Sequence, residues 1–262
     1  MIAIGQASHA WISGQLARAW GNPRFGPVQP YEEVCLAAEQ HDVGMAQWDL
    51  APSRNPSTGL PHSFTEMPLG LHVELWRQAG RRLLSQSRYA SLLVTIHGRR
   101  LYQMRRIDEL GPEQAALVRR FLVQQREVER ALLDSLQADP ATARFADPQL
   151  VACNSQLIWI WDLLSLALCL DWAPRLLREV PSADGWIDVQ LETGARPGRC
   201  SLDPWPFTSA TVTVRCEGQR LSGRYPSDEA LRQALAQAPF ETVEFELVQA
   251  RAPWSASSRG QP

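Results

Sequence analysis

The 262-residue chain contains no lysine, so all 26 of its basic residues are arginine. A Walker-type phosphate loop, a Schiff-base enzyme and a lysine general base each need a primary amine, and all three are excluded. Any anion the protein handles must be held by arginine, whose planar fork suits carboxylate and phosphate. There is also no C-x-x-C pair among the five cysteines at 35, 153, 169, 200 and 216. Most of them lie in apolar surroundings, so neither a zinc ribbon nor a disulfide framework is indicated, and they read as small core residues of a reduced, cytoplasmic protein. Strong charge of either sign is missing too. A formal net charge of −2 supplies no global field for nucleic acid or an anionic membrane. Gln6, Ser8 and His9 interrupt the apolar run that a signal peptide needs, so no export is expected.

With 45% hydrophobic residues, the chain suits one sizeable core plus a smaller unit. Residues 6–20 place His9, Ile12, Leu16 and Trp20 on one helical face, and Gly21-Asn22-Pro23 stops the helix. A second helix is predicted over 31–48, with Val34, Ala38, His41, Met45 and Trp48 on one stripe. Residues 49–68 hold four prolines and one glycine and read as a long loop of the kind that covers sites or touches substrates. Helices follow over roughly 69–86 (His72, Leu75, Trp76, Ala79 and Leu83 aligned), 112–137 and 149–171, and the apolar run 89–96 leading to His97 fits a buried helix or a short strand, the helix being favoured in this context. The helix over 149–171 contains LIWIWDLLSLALCL. Its apolar run is short and interrupted by Asp162, so it reads as a core helix and not a membrane span.

After Pro181 the periodicity drops to 2: WIDVQLE, TVTVRC and VEFELVQ alternate, with a hairpin turn predicted at Glu217-Gly218 and a short helix at 227–238 capped by Ser227. The reading is therefore mainly α: a helical metal-binding core over 1–178, a small C-terminal β-rich extension over 181–250, and a flexible tail over 251–262. The rigid DPWPF segment, 203–207, presents Trp205 and Phe207 and reads as cement between the two units.

Asp162 carries the chemical argument. An ionised carboxylate among Ile158, Trp161, Leu163 and Leu166 pays a large desolvation cost unless a cation lies beside it. Ser155, Asp162, Ser165 and Cys169 form one narrow polar stripe on this helix. A protonated or arginine-paired core aspartate is the plain alternative. Four of the five histidines also fall on or at the end of apolar segments. A metal would satisfy them together, since neutral imidazole and carboxylate suit Zn, Mn, Fe, Co or Ni.

His9 on a first helix, His41-Asp42 on a second and Asp162 on a late helix resemble the H…HD…D pattern of HD-domain metal-dependent phosphohydrolases. The stretches AAEQHDVGMAQWD, LLVTIHG and DPWPF are more narrowly similar to one of that superfamily's bacterial families, the domain-of-unknown-function 3891 family. The resemblance implies an HD-like helical core over about 5–175 and metal ligands His9, His41, Asp42 and Asp162. His72 and His97 match the further histidines of two-metal members, and His62 in the loop is the alternative. Where many members have HD-x-G-K, Met45 replaces the lysine, leaving Arg54, Arg99 and Arg100 as candidates to hold phosphate.

Three functions are consistent with this pattern. The first is hydrolysis of a small phosphate ester or nucleotide, with one or two divalent ions activating water, Asp42 orienting it, and Arg99 or Arg54 offsetting charge. The second is a dinuclear-iron oxygenase, which requires both intervening histidines as ligands. The third is a non-catalytic binding or regulatory module with a structural metal. The expected partner is a small phosphorylated molecule, with no nucleic acid and no membrane; the oligomeric state is left open.

Overall fold

The computed structural model describes residues 1–250, and the expected tail at 251–262 lies outside the described residues. The chain begins with a two-residue strand, β1 (Ile2–Ala3), and continues through helices α1 (Gln6–Ala19), α2 (Tyr31–Gln40), α3 (Ala46–Leu50), α4 (Leu69–Arg82), α5 (Arg88–Gln103), α6 (Pro112–Gln137) and α7 (Pro148–Cys169). Strands β2 (Arg175–Ser182), β3 (Gly185–Thr193), β4 (Arg199–Asp203) and β5 (Thr211–Arg220) follow, then α8 (Asp228–Gln237) and β6 (Phe240–Gln249).

Local chemistry accounts for the helix ends. Asp147 accepts the Leu150 N–H at 2.9 Å and Pro148 opens α7, while Ser87 and Ser227 cap α5 and α8 in the same way. Helix α1 has no cap of its own, and Asp49, at the end of α3, accepts the Ala7 N–H at 3.1 Å. Helix α7 is long and apolar enough to cross a membrane by composition alone. In this fold it packs against α1, α2, α5 and β2, with Trp161 and Ile158 fully buried.

The fold class differs from the sequence-based expectation. The protein is mixed α/β, 52% helix and 19% strand, with a six-stranded curled sheet, and is not mainly α with a small extension. Strand order is β1-β5-β6-β4-β3-β2, parallel between β4 and β6 and antiparallel elsewhere. Three features hid the sheet. Strand β1 has two residues, too few to show a period. Strand β2 bulges between Leu177 and Val180, with Glu179 at φ 57°, so two inward residues stand three apart and imitate a helical spacing. The predicted turn at Glu217-Gly218 is also absent, because β5 runs straight through to Arg220. Gly218 instead leaves room for β1, since a Cβ there would strike Ile2.

Buried side chains of helices and sheet form one contiguous core. The DPWPF segment joins the two layers. Phe207 meets Trp20 of α1 edge-on at 5.5 Å, Trp20 meets Trp161 of α7 at 5.7 Å, and the Gly21 N–H bonds the Pro206 carbonyl at 3.1 Å.

Candidate metal centre

Four helical segments converge on one buried cluster. His9 lies on the inner face of α1, His97 on α5 and Asp162 on α7, and all three are buried. His41 and Asp42 come from the end of α2. Adjacent residues on a continuous helix diverge by about 100° and do not face one target. The helix predicted over 31–48 ends instead at Gln40. Asp42 takes φ −99° and ψ 17° before a 3-10 turn at Val43–Met45. Gly44 in that turn backs onto α4, where a Cβ would stand 2.5 Å from the Leu75 carbonyl oxygen. The break brings both side chains into the same space.

The ligand atoms stand at coordination spacing. His9 Nε2 is 2.7 Å from Asp42 Oδ2, and His41 Nε2 is 3.8 Å from Asp42 Oδ2 and 3.3 Å from Asp162 Oδ1. His97 Nε2 is 3.4 Å from Asp162 Oδ2. With bonds of about 2.1 Å, donors around one ion stand about 3.0 Å apart in an octahedral cis pair, about 3.4 Å in a tetrahedron and about 4.2 Å across an octahedron. The three distances of 3.3–3.8 Å fall inside that range, and the 2.7 Å between His9 and Asp42 is a hydrogen-bond distance. The His9, His41, Asp42 group and the His41, His97, Asp162 group could each hold a metal ion, and they share His41.

The outer nitrogens of two of these rings are tied down. His41 donates Nδ1–H to the Ala38 carbonyl oxygen at 2.8 Å. Its Nε2 is buried without a hydrogen-bond partner, because the approach to Asp162 is poorly aligned. His9 Nδ1 lies 2.9 Å from Ser165 Oγ, which donates to the Asp162 carbonyl oxygen at 2.8 Å. Such partners fix ring orientation in metal sites. A fully buried imidazole nitrogen facing two carboxylates without a hydrogen bond is compatible with a metal ligand.

The charge balance agrees. Burial disfavours the His41 imidazolium, but the Asp42 and Asp162 carboxylates outweigh it and push its pKa up to about 9. Burial also penalises the ionised forms of Asp162 and Asp42, yet the neighbouring histidines hold both below the usual carboxylate range. At His97 burial prevails over Asp162 and lowers the pKa, favouring neutral imidazole.

The other predicted residues lie elsewhere. His72 Nδ1 faces the Tyr102 hydroxyl and its Nε2 accepts from Trp76 Nε1–H at 3.2 Å, so neither nitrogen is free. Burial, with Arg105 nearby, pulls its pKa down to about 4. His62 pairs with Ser53 Oγ at 2.8 Å. Arg99 is committed to Glu129 at 2.5 Å and Arg100 to Gln156 at 2.5 Å, with Arg100 stacked on Trp159. Arg54 is anchored in the loop, its backbone N–H on Asp228 at 2.7 Å and its guanidinium on the Pro56 carbonyl.

A cavity of about 190 Å³ opens above the cluster, with His9, Asp42, His97 and Asp162 on one wall and Phe64, His72 and Arg105 among the others. Phe64 belongs to the 49–68 loop, which thus covers the site. Arg105 is the arginine on this wall, and sequence reasoning missed it. The available signal was spacing, since His97, Leu101 and Arg105 recur every four residues and all line the cavity.

Over residues 1–223 the chain matches DUF3891, a family described as proteins of unknown function, and it belongs to that family. No curated protein and no solved structure matches it.

Proposed function

We propose that this protein is a metal-dependent hydrolase of small phosphate esters. His9, His41, Asp42 and Asp162 would hold a divalent transition metal (Mn, Fe, Co, Ni or Zn), and His97 would complete that site or help to hold a second ion. One observation carries the reading: a buried set of histidines and ionised aspartates could hold a metal, and four of its members, His9, Asp42, His97 and Asp162, line a cavity that Arg105 also lines. The order of these ligands resembles that of HD-domain phosphohydrolases, which supports the same activity.

When bound, the metal lowers the pKa of a coordinated water and polarises a phosphoryl oxygen. The chain's own residues do the rest. Asp42, held ionised, orients the attacking water. Arg105, whose guanidinium rests on the Tyr102 ring at 5.1 Å, is free of carboxylates among the described residues and holds the phosphate oxygens. Phe64 and Trp76 narrow the cavity and exclude bulk water. The dinuclear-iron oxygenase is not favoured, because both nitrogens of His72 are engaged by Tyr102 and Trp76.

The test is to strip the protein with chelator, reload it separately with each of the five metals, and follow phosphate release from a panel of monoesters. Activity with at least one metal, lost in a folded Asp42→Asn variant, is expected. Stoichiometric metal binding with no turnover of any ester would overturn hydrolysis and leave a structural metal.

A further inference from the structure

A second cavity, of about 370 Å³, adjoins the metal cavity. The two share Gln6, His9, Phe64 and Leu166, so they meet beside His9. The wall of the larger one is mostly apolar, with Ile2, Ile4, Leu60 and Leu170 among its residues, and Trp48 and His62 set their rings 6.4 Å apart along one side. No arginine lines it. Its two carboxylates are already occupied: Asp49 accepts the Ala7 N–H, and Glu66 accepts the Ser63 N–H and the Asn55 amide, each at 2.9–3.1 Å.

The cavity is preformed. The loop that roofs it is pinned by the Ser63–Glu66 capping box, by the Gly59 N–H on the Asn55 carbonyl at 2.9 Å and by the Tyr225 N–H on the Gly59 carbonyl at 2.8 Å. Arg105 and His72 line only the smaller cavity, whereas His9 lines both. A phosphate ester with its anionic oxygens on Arg105 and its phosphorus at the metal cluster therefore sends its ester oxygen and the group beyond past His9 into the larger cavity.

We propose that the larger cavity is the leaving-group subsite, and that the substrates are phosphate monoesters of uncharged, largely apolar ring alcohols. The inference rests on the hydrolase reading above. Two physical costs exclude other occupants. A second anionic group, as in a nucleoside polyphosphate, would meet Asp49 and Glu66 with no arginine to offset them. A sugar would bury many of its hydroxyls against a mostly apolar wall, whereas a flat ring gains from burial and from the Trp48 and His62 faces.

Two measurements on the full chain test it. In calorimetric titrations 2-naphthol should bind at one site, and Leu60→Trp and Leu170→Trp, each filling the cavity from a partly exposed position, should weaken that binding at least about tenfold. In the metal-loaded protein, 2-naphthyl phosphate should exceed phenyl phosphate in kcat/KM by about tenfold, since the two leaving groups are similarly acidic and differ in buried area. Both variants should erase that preference by lowering kcat/KM for 2-naphthyl phosphate more than for phenyl phosphate, with circular dichroism confirming their fold. Absence of 2-naphthol binding, or binding indifferent to both variants, overturns the subsite. Hydrolysis of both esters at equal efficiency overturns it too, while leaving the hydrolase intact. Binding of 2-naphthol that the variants abolish, with no ester turned over by any metal, overturns the hydrolase reading and the leaving-group role with it.

Discussion

His41 donates its Nδ1 proton to the carbonyl oxygen of Ala38, three residues back, at 2.8 Å, and this bond decides which nitrogen faces the two carboxylates. Nε2 is left pointing at Asp42 and Asp162, and without a metal it carries a proton at neutral pH because those carboxylates push the pKa up to about 9.

A metal must displace that proton. Binding is therefore expected to release a proton from His41 at every pH below about 9, and apparent affinity should rise by about tenfold per pH unit toward that value before levelling. Isothermal titration in buffers of different ionisation enthalpy reads the proton count directly. Affinity that is flat between pH 6.5 and 8.5 would overturn proton displacement from His41.

Ser165 holds the outer nitrogen of His9 at 2.9 Å and is itself braced by Ser13 at 3.0 Å. Ser165→Ala removes this support without touching a ligand, and metal affinity should fall about 10- to 100-fold. Competition against a chelating dye measures it. An unchanged constant would mean that the His9 ring is oriented by packing alone.

Arg105 and Arg99 make a controlled comparison, since one faces the cavity and the other is spent on Glu129. Losing a charge-assisted contact of about 1.5–3 kcal/mol, Arg105→Ala should raise KM for a phosphate ester about 10- to 100-fold. Arg99→Ala should leave KM near the wild-type value. Steady-state kinetics decides, and equal effects from the two substitutions would remove Arg105 from substrate binding.

Phe207 is about 1% exposed and stacks edge-on against both Trp20 and Trp205. Phe207→Ala should destabilise the protein by about 3–5 kcal/mol, because it opens a cavity between helix α1 and the sheet. Urea unfolding followed by tryptophan fluorescence gives the value, and a loss under 1 kcal/mol would mean the two layers are joined elsewhere.

Much of the helical half was legible in the sequence. The stripe of His9, Ile12, Leu16 and Trp20, the Ser227 cap and the buried Asp162 each follow from rules that act within one or two turns, and the structure has each of them. The sheet was not legible to the same degree. A bulge at Glu179 disguised β2, and pairing of Ile2 with Arg220 across the whole chain leaves no local trace. Arginine roles failed for a related reason: Arg99, Arg100 and Arg105 lie within seven positions, and only the packing of α5 against α6 and α7 decides which guanidinium is consumed and which stays free.

By itself the sequence determined that this chain has no lysine chemistry, that its anions must meet arginine, and that a carboxylate at 162, if ionised among its apolar neighbours, needs a cation beside it. These are properties of residue types and their immediate neighbours, which no fold can change. Tertiary structure alone decided that the helix breaks after Gln40, so that His41 and Asp42 face one point, and that His97 joins Asp162 while His72 is taken by Tyr102 and Trp76. Those outcomes depend on distances between residues far apart in the chain, which are set when helices and sheet close on one core.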